Sequence, residues 1–216
     1  MSVSLSVIGS TGLVGKQFLE SISEGDYDQV VAITRRPIPS LKHQTFIKQA
    51  IHDFSDLKKM KDDLKADVLI CAMGTTIKTA GSQARFIEID HDLPLEAARI
   101  TREAGCKTLI LISAVGANPQ SSIFYSRVKG LLEEDLKELG FERLYILRPG
   151  MLLGERLEKR PGELIGKRIM QPLNFLIPWK YKAIQATTIA STIHRLIANQ
   201  KQGLQIVEGK ELFGIN

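Results

Sequence analysis

Cysteine is nearly absent from this chain: of 216 residues only Cys71 and Cys106 carry a thiol. Their settings, VLICAM and AGCKTL, read as a buried strand and a helix-to-strand junction. Two isolated thiols without metal-like spacing point to a reducing compartment and to no disulfide framework. Long apolar runs are missing as well. No stretch approaches the ~18 residues of a membrane helix. The start, MSVSLSVIGSTG, lacks the basic region of a secretory signal and runs directly into a glycine turn. A cytoplasmic location is therefore expected, with no membrane span.

A dominant charge is also lacking. The net charge is +5, from 29 basic and 24 acidic residues. The two signs are interleaved, as in KKMKDDLK and EEDLKE, which is how solvated helix faces look. Asp135 and the glutamates near it belong to such a face. Nucleic-acid binding needs a clustered basic footprint and is not expected; mild basicity serves equally to attract a phosphorylated cofactor. His43, His52, His91 and His194 lie apart, without ligand-like spacing or a Ser-Asp context, so no metal is expected. Repeats and low-complexity tracts are absent too.

What the sequence does contain is alternation. Short β-rich runs (Leu5–Ile8, Val30–Thr34, Phe46–Ala50, Val68–Cys71, Thr108–Ile112 and Leu144–Leu147) alternate with helical stretches, clearest at Leu93–Ala104 and Tyr125–Leu139. That pattern predicts βαβ units with right-handed crossovers. The expected fold is α/β: a Rossmann-type, doubly wound, mainly parallel sheet with helices on both faces. Residues 1–216 fit one domain, in which 150–182, broken by Pro161, Gly162 and two further prolines, form a small substrate-side extension. A last helix resumes near Thr187, with threonines suited to capping it.

The first strand runs into Gly9-Ser10-Thr11-Gly12-Leu13-Val14-Gly15, with G-x-x-G-x-x-G spacing, and then into a helix. Glycines there permit a tight turn, close approach of backbone to a pyrophosphate, and close helix–strand packing. The helix N-terminus adds free N–H groups and the positive dipole end. Where the second strand ends, an acid would accept from the ribose 2′-OH of NAD, whereas arginine accommodates the 2′-phosphate of NADP. The chain has Arg35 and Arg36 and no acid, which favours NADP(H). Asp53 follows the third strand, placed either to accept from an adenine amino group or to cap the helix begun by DLKKMKDDL. After the fourth strand, Met73, Gly74 and Thr75 are positioned to let backbone pass close to a cofactor.

The fifth strand ends at Ser113, and Tyr125 and Lys129 follow as Y-S-R-V-K. On a helix, residues four apart share a face, and an ammonium there favours phenolate over phenol. With four tyrosines in the chain, one Tyr-x-x-x-Lys arises easily by chance, and Ser113 alone could simply cap a turn. Topology gives the three a common meaning: all reach the crevice where a nicotinamide would lie. Ser113 would bind a substrate oxygen, Tyr125 would move that oxygen's proton, and Lys129 would assist Tyr125 and hold ribose hydroxyls.

Taken together, the glycine turn, the paired arginines, CAMGTT, the serine strand, YSRVK and the RPG turn resemble the atypical branch of the short-chain dehydrogenase/reductase superfamily, nearly end to end. The resemblance implies a catalytic Tyr125–Lys129 pair and NADP(H) at Thr11, Gly12, Leu13, Val14, Arg35 and Arg36. It adds Leu152 near the nicotinamide and Arg160 as a further cofactor contact. One departure stands out: where many members of the superfamily place Asn on the fourth helix, this chain has Asp90, which would alter a proton relay or pair with Lys129. The implied activity is NADP(H)-dependent interconversion of a small-molecule carbonyl and its alcohol. The alternative is an NADPH-binding regulatory or redox-sensing protein. Substrate identity is not legible, and monomer and homodimer remain equally open.

Overall fold

The computed structural model describes residues 3–154, 178–199 and 201–215. Chain order begins with strand β1 (Ser4–Ile8), helix α1 (Leu13–Glu20), β2 (Gln29–Thr34), β3 (Ile47–Ile51), the short α2 (Lys61–Leu64) and β4 (Val68–Cys71). Two short helices, α3 (Ile77–Ala80) and α4 (Gln83–Ile87), lead through a π-helical turn at Glu88–Asp92 into α5 (Leu93–Glu103). Then follow β5 (Thr108–Ile112), α6 (Phe124–Lys137) and β6 (Arg143–Arg148). Two-residue strands β7 (Leu152–Leu153) and β8 (Ile184–Gln185) pair with each other, and α7 (Ala186–Ala198) precedes β9 (Gly203–Glu208).

Seven strands form one parallel sheet in the order β3-β2-β1-β4-β5-β6-β9. Its central strands are buried on both faces, as VLIC and TLILI require. Alternate residues divide between two cores. Val7, Ala32, Ile70, Ile110 and Tyr145 face α1 and α7, where Phe18, Ile189 and Ile193 cover them. Ile8, Ile33, Cys71, Leu111 and Ile146 face the other way, against Leu64, Ala98, Leu132 and Leu136 of α2, α5 and α6.

The doubly wound α/β fold stands as expected, and all six predicted strands are present. β9 is an addition, paired with β6 from Arg143↔Gly203 to Arg148↔Glu208. The last helix starts one residue early, at Ala186, with Gln185 as an N-cap that makes no side-chain bond; its threonines therefore do not cap it. Arg160 and most of the 150–182 extension lie outside the described residues.

Candidate functional site

Going outward from β1, the sheet runs through β2 and β3 on one side and β4, β5, β6 and β9 on the other. The order reverses between β1 and β4, and crevices outside the carboxyl ends of strands at such a point are where open α/β sheets take ligands. A cleft of about 720 Å³ lies there, lined among others by Gly9, Thr11, Gly12, Leu13 and Val14 of the turn, by Arg35, Arg36 and Asp53, by Met73, Gly74 and Thr75, by Ser113, Tyr125 and Lys129, and by Leu152. Residues more than a hundred positions apart in sequence thus face one space.

The turn at the end of β1 is shaped by what it must avoid. Gly9 has φ 77°, and a Cβ there would stand 2.4 Å from the backbone of Ala72 at the end of β4. A Cβ on Gly15, the one predicted cofactor residue of this turn outside the cleft wall, would meet Gly9 O at 2.4 Å. Gly12 donates its N–H to Gly9 O at 2.9 Å and is the N-cap of α1, without a side-chain cap. The first N–H groups of α1 are therefore left for a ligand. Beside the cleft, a smaller cavity of about 270 Å³ is lined by Thr11, Lys16, Arg36, Pro37 and Ser40, among others. Two cations, Lys16 and Arg36, share its wall, and Lys16 carries no motif that marks it in the sequence.

Asp53 does not cap a helix. Its Oδ1 accepts from Ser55 N–H at 2.9 Å and Ser55 Oγ at 2.7 Å, bonds that hold its carboxyl below the usual range. The cap expected of it falls instead to Asp56, which accepts from Lys58 N–H at 3.1 Å. Phe54, next to Asp53 on the cleft wall, has φ 64°, the one non-glycine residue with positive φ among those described. Such left-handed geometry is strained in a bulky residue and gathers at ligand-facing loops.

At the other end, α6 carries Tyr125 and Lys129 on one face. The loop from β5 is pinned across this helix at Gly130, where any Cβ would fall 2.2 Å from Asn118 and Pro119 backbone. Tyr125 is half-buried, its ring 5.7 Å from that of Phe86. Lys129 Nζ stands 2.8 Å from Asp90 Oδ1, and the two side chains are 3% and 0% exposed. Asp90 Oδ2 accepts from Thr75 N–H at 2.8 Å. The π-turn supplies the geometry, because one wider turn rotates Asp90 inward between α4 and α5. Burial opposes the charged form of Lys129, but Asp90, then Tyr125, outweigh it and raise its pKa above the ordinary lysine value. Tyr125 therefore faces an ion pair, not a bare ammonium.

Beneath Ser113 lies a second ion pair, with a buried carboxylate and a partly buried guanidinium. Ser113 N–H donates to Leu147 O at 2.8 Å, and its Oγ donates to Glu133 Oε1. Arg148 Nε donates to both Glu133 oxygens at 3.1 Å, and its Nη2 donates to Oε2. This corrects the reading of the acids around Asp135 as a solvated face: Glu133 is 1% exposed. Asp135 itself accepts through Oδ2 from His91 Nε2 at 2.9 Å. The signal was available, since Glu133 repeats the four-residue step from Tyr125 to Lys129 and so shares their face.

The remaining histidines are engaged away from the cleft: His52 with Asp63 at 2.8 Å, and His194 with Tyr27 at 2.6 Å and Ser21 at 2.9 Å. His43 is exposed. Among the described residues no group of His, Cys, Asp and Glu could hold a metal, and no helix is long and apolar enough to cross a membrane.

A parallel α/β sheet with its cleft at the switch point is the Rossmann-type architecture of NAD-binding epimerases and reductases. Solved structures of similar fold include MoeE5 in complex with UDP-glucuronic acid and NAD: TM-score 0.74 and 15% identity over 95% of this chain and 76% of that one. The chain belongs to the HIM1 family, whose profile matches residues 38–183. It is 30% identical over 213 residues to protein HTATIP2 of Rattus norvegicus, covering 97% of this chain and 87% of that protein. It is also 38% identical over 169 residues to "Protein fmp52, mitochondrial" of Emericella nidulans, covering 76% and 72%. The expected family resemblance holds. The cytoplasmic expectation does not: fmp52 is named as a mitochondrial protein, and reduced, unpaired cysteines do not distinguish one reducing compartment from another.

Proposed function

We propose that this chain is an NADP(H)-dependent oxidoreductase that interconverts a carbonyl and an alcohol. One observation carries the reading: the glycine turn, Arg35 and Arg36, and Ser113, Tyr125 and Lys129 all line a single cleft at the switch point. The turn fits a dinucleotide, because the space a Cβ would take at Gly9 and Gly15 is already filled by backbone and the α1 amides have no side-chain cap. Arg35 and Arg36 suit a 2′-phosphate, and Lys16 adds a third cation nearby.

The bound cofactor would supply or accept a hydride. Tyr125 then gives its proton to the substrate oxygen in reduction, or takes it back in oxidation. Lys129, fixed by Asp90, holds positive charge beside Tyr125 and offers its remaining protons to ribose hydroxyls. Ser113 fixes the substrate oxygen from β5. Leu152 closes the cleft from the β7 side.

A second reading, an NADPH-binding regulator with little turnover, draws support from the same Asp90–Lys129 pair, which ties up the ammonium that would assist Tyr125. Two experiments separate them. Fluorescence titration with NADPH and NADH, on wild type and on R35A/R36A, should show an NADPH preference that the double substitution abolishes. The loss should be about 100-fold, as two charge-assisted bonds imply. No binding of either nucleotide at millimolar concentration would sink both readings. A carbonyl screen with NADPH then compares wild type with Tyr125→Phe: turnover lost with cofactor binding kept marks the enzyme, and no turnover in either marks the regulator.

A further inference from the structure

We propose that Glu133 sets the polarity of Ser113, so that the serine meets the cleft as a hydrogen-bond acceptor and the site holds a hydroxyl group in preference to a carbonyl. A serine hydroxyl has one proton and two lone pairs. At Ser113 that proton points away from the cleft, to Glu133 Oε1. Glu133 does not return the favour, because Arg148 donates to both of its oxygens from Nε at 3.1 Å and to Oε2 through Nη2, so that both oxygens are engaged as acceptors. Glu133 is 1% exposed, and on the outer, partly exposed side of Arg148 its Nη1 has Glu208 of β9 3.8 Å away. What Ser113 offers the cleft is therefore lone pairs.

This rests on the oxidoreductase reading, in which a substrate oxygen lies between Ser113 and Tyr125, and changes the part the serine plays there. A carbonyl oxygen has no proton and would face the lone pairs of Ser113 with only Tyr125 to donate to it. An alcohol satisfies both neighbours, donating to Ser113 while accepting from the Tyr125 phenol. Glu133 is in this sense a positioning residue. It touches neither substrate nor cofactor and acts through the direction of one O–H bond. Replacing it by glutamine should reverse that direction: the amide oxygen would take Arg148's donors, the amide NH₂ would donate to Ser113, and the serine proton would be free to turn into the cleft.

The full chain saturated with NADP⁺ should be titrated with cyclohexanol and with cyclohexanone by ligand-observed NMR. Cyclohexanol should bind about three- to tenfold tighter to wild type, as one hydrogen bond gained implies. Glu133→Gln should invert the order, and Ser113→Ala should bring the two ligands level. Equal binding, tighter cyclohexanone, or no detectable cyclohexanol binding in wild type overturns the proposal. So does an alcohol preference that survives in Ser113→Ala, a comparison that decides the matter even if Glu133→Gln does not fold. A separate arm needs no cofactor: with serine labelled at ¹³Cβ, the deuterium isotope shift of Ser113 in mixed H₂O/D₂O should show a slowly exchanging hydroxyl. Rapid exchange there overturns the proposal, whereas failure to take up NADP⁺ alongside a slow hydroxyl removes the oxidoreductase reading and leaves the serine's polarity standing.

Discussion

Lys129 and Asp90 form an ion pair of 2.8 Å with almost no exposure to water, joined by the backbone N–H of Thr75. Removing one member of such a pair leaves the other charged, buried and unmatched. Asp90→Ala should cost about 3–5 kcal/mol of stability. Asp90→Asn, which keeps an acceptor for Thr75, should cost less. Denaturant midpoints for the two variants measure the difference, and equal costs would show that the charge is not what matters.

The same pair predicts an alkaline limit. Lys129 has its pKa raised in the folded state. The stability it contributes is complete below the unfolded lysine value of about 10.4 and is lost as pH climbs through the higher folded value. Thermal midpoints should fall above about pH 10.4 in wild type. An apolar replacement, D90L/K129M, should flatten that part of the curve.

His194 works in the opposite sense and at the other face of the sheet. Burial lowers its pKa, with Asp26 pulling weakly the other way. Between the depressed folded value and the ordinary ~6.5 the unfolded chain holds more protons, so stability falls as pH drops through that window. The neutral ring bridges Tyr27 at 2.6 Å and Ser21 at 2.9 Å, tying α7 to the segment after α1. His194→Gln should lower stability at pH 7.5 and remove the acid sensitivity between pH 7 and 5, read by thermal melts across that range.

Two neighbours on α6 give an internal control. Glu133 is buried against Arg148, while Glu134 is 53% exposed and pairs with Lys137 at 2.7 Å. Glu133→Ala should destabilise by about 3–5 kcal/mol, and Glu134→Ala by under about 1 kcal/mol. Urea denaturation of the two single variants settles it. Comparable losses would refute the burial argument.

Burial pushes both thiols, Cys71 and Cys106, up to about 11. Thiolate is the form that reacts. Iodoacetamide at pH 8 should leave the native protein unmodified over hours and label both cysteines once denaturant is added, as intact mass would show.

The strands of the sheet centre were legible because burial on both faces leaves runs such as VLIC and TLILI with no other reading. β9 was not. As an edge strand it leaves Leu204 and Ile206 exposed and only Val207 buried, so GLQIVE carries no such signature. In the cleft, the turn at Gly9 and the Tyr125–Lys129 step could be read because each depends on local spacing. The Asp90–Lys129 pair could be named only as one of two outcomes, since a π-turn has no sequence mark. Glu133 was misplaced for a related reason: its partner Arg148 stands on β6, and charge pattern along one helix cannot reveal a cation supplied by another element.

β1 lies inside the sheet, and the neighbours to either side of it are all reached by crossover connections. β1 precedes both of its partners in the chain, so one of its edges stays open until β2 is made and the other until β4 is made. The cleft waits longer, because Ser113 and Lys129 arrive more than a hundred residues after Gly9. Non-local parallel pairing of this kind is slow and leaves strand edges open while it proceeds. During biogenesis the glycine turn is thus exposed before its opposite wall exists, and a ligand that needs both walls can reward only the finished sheet.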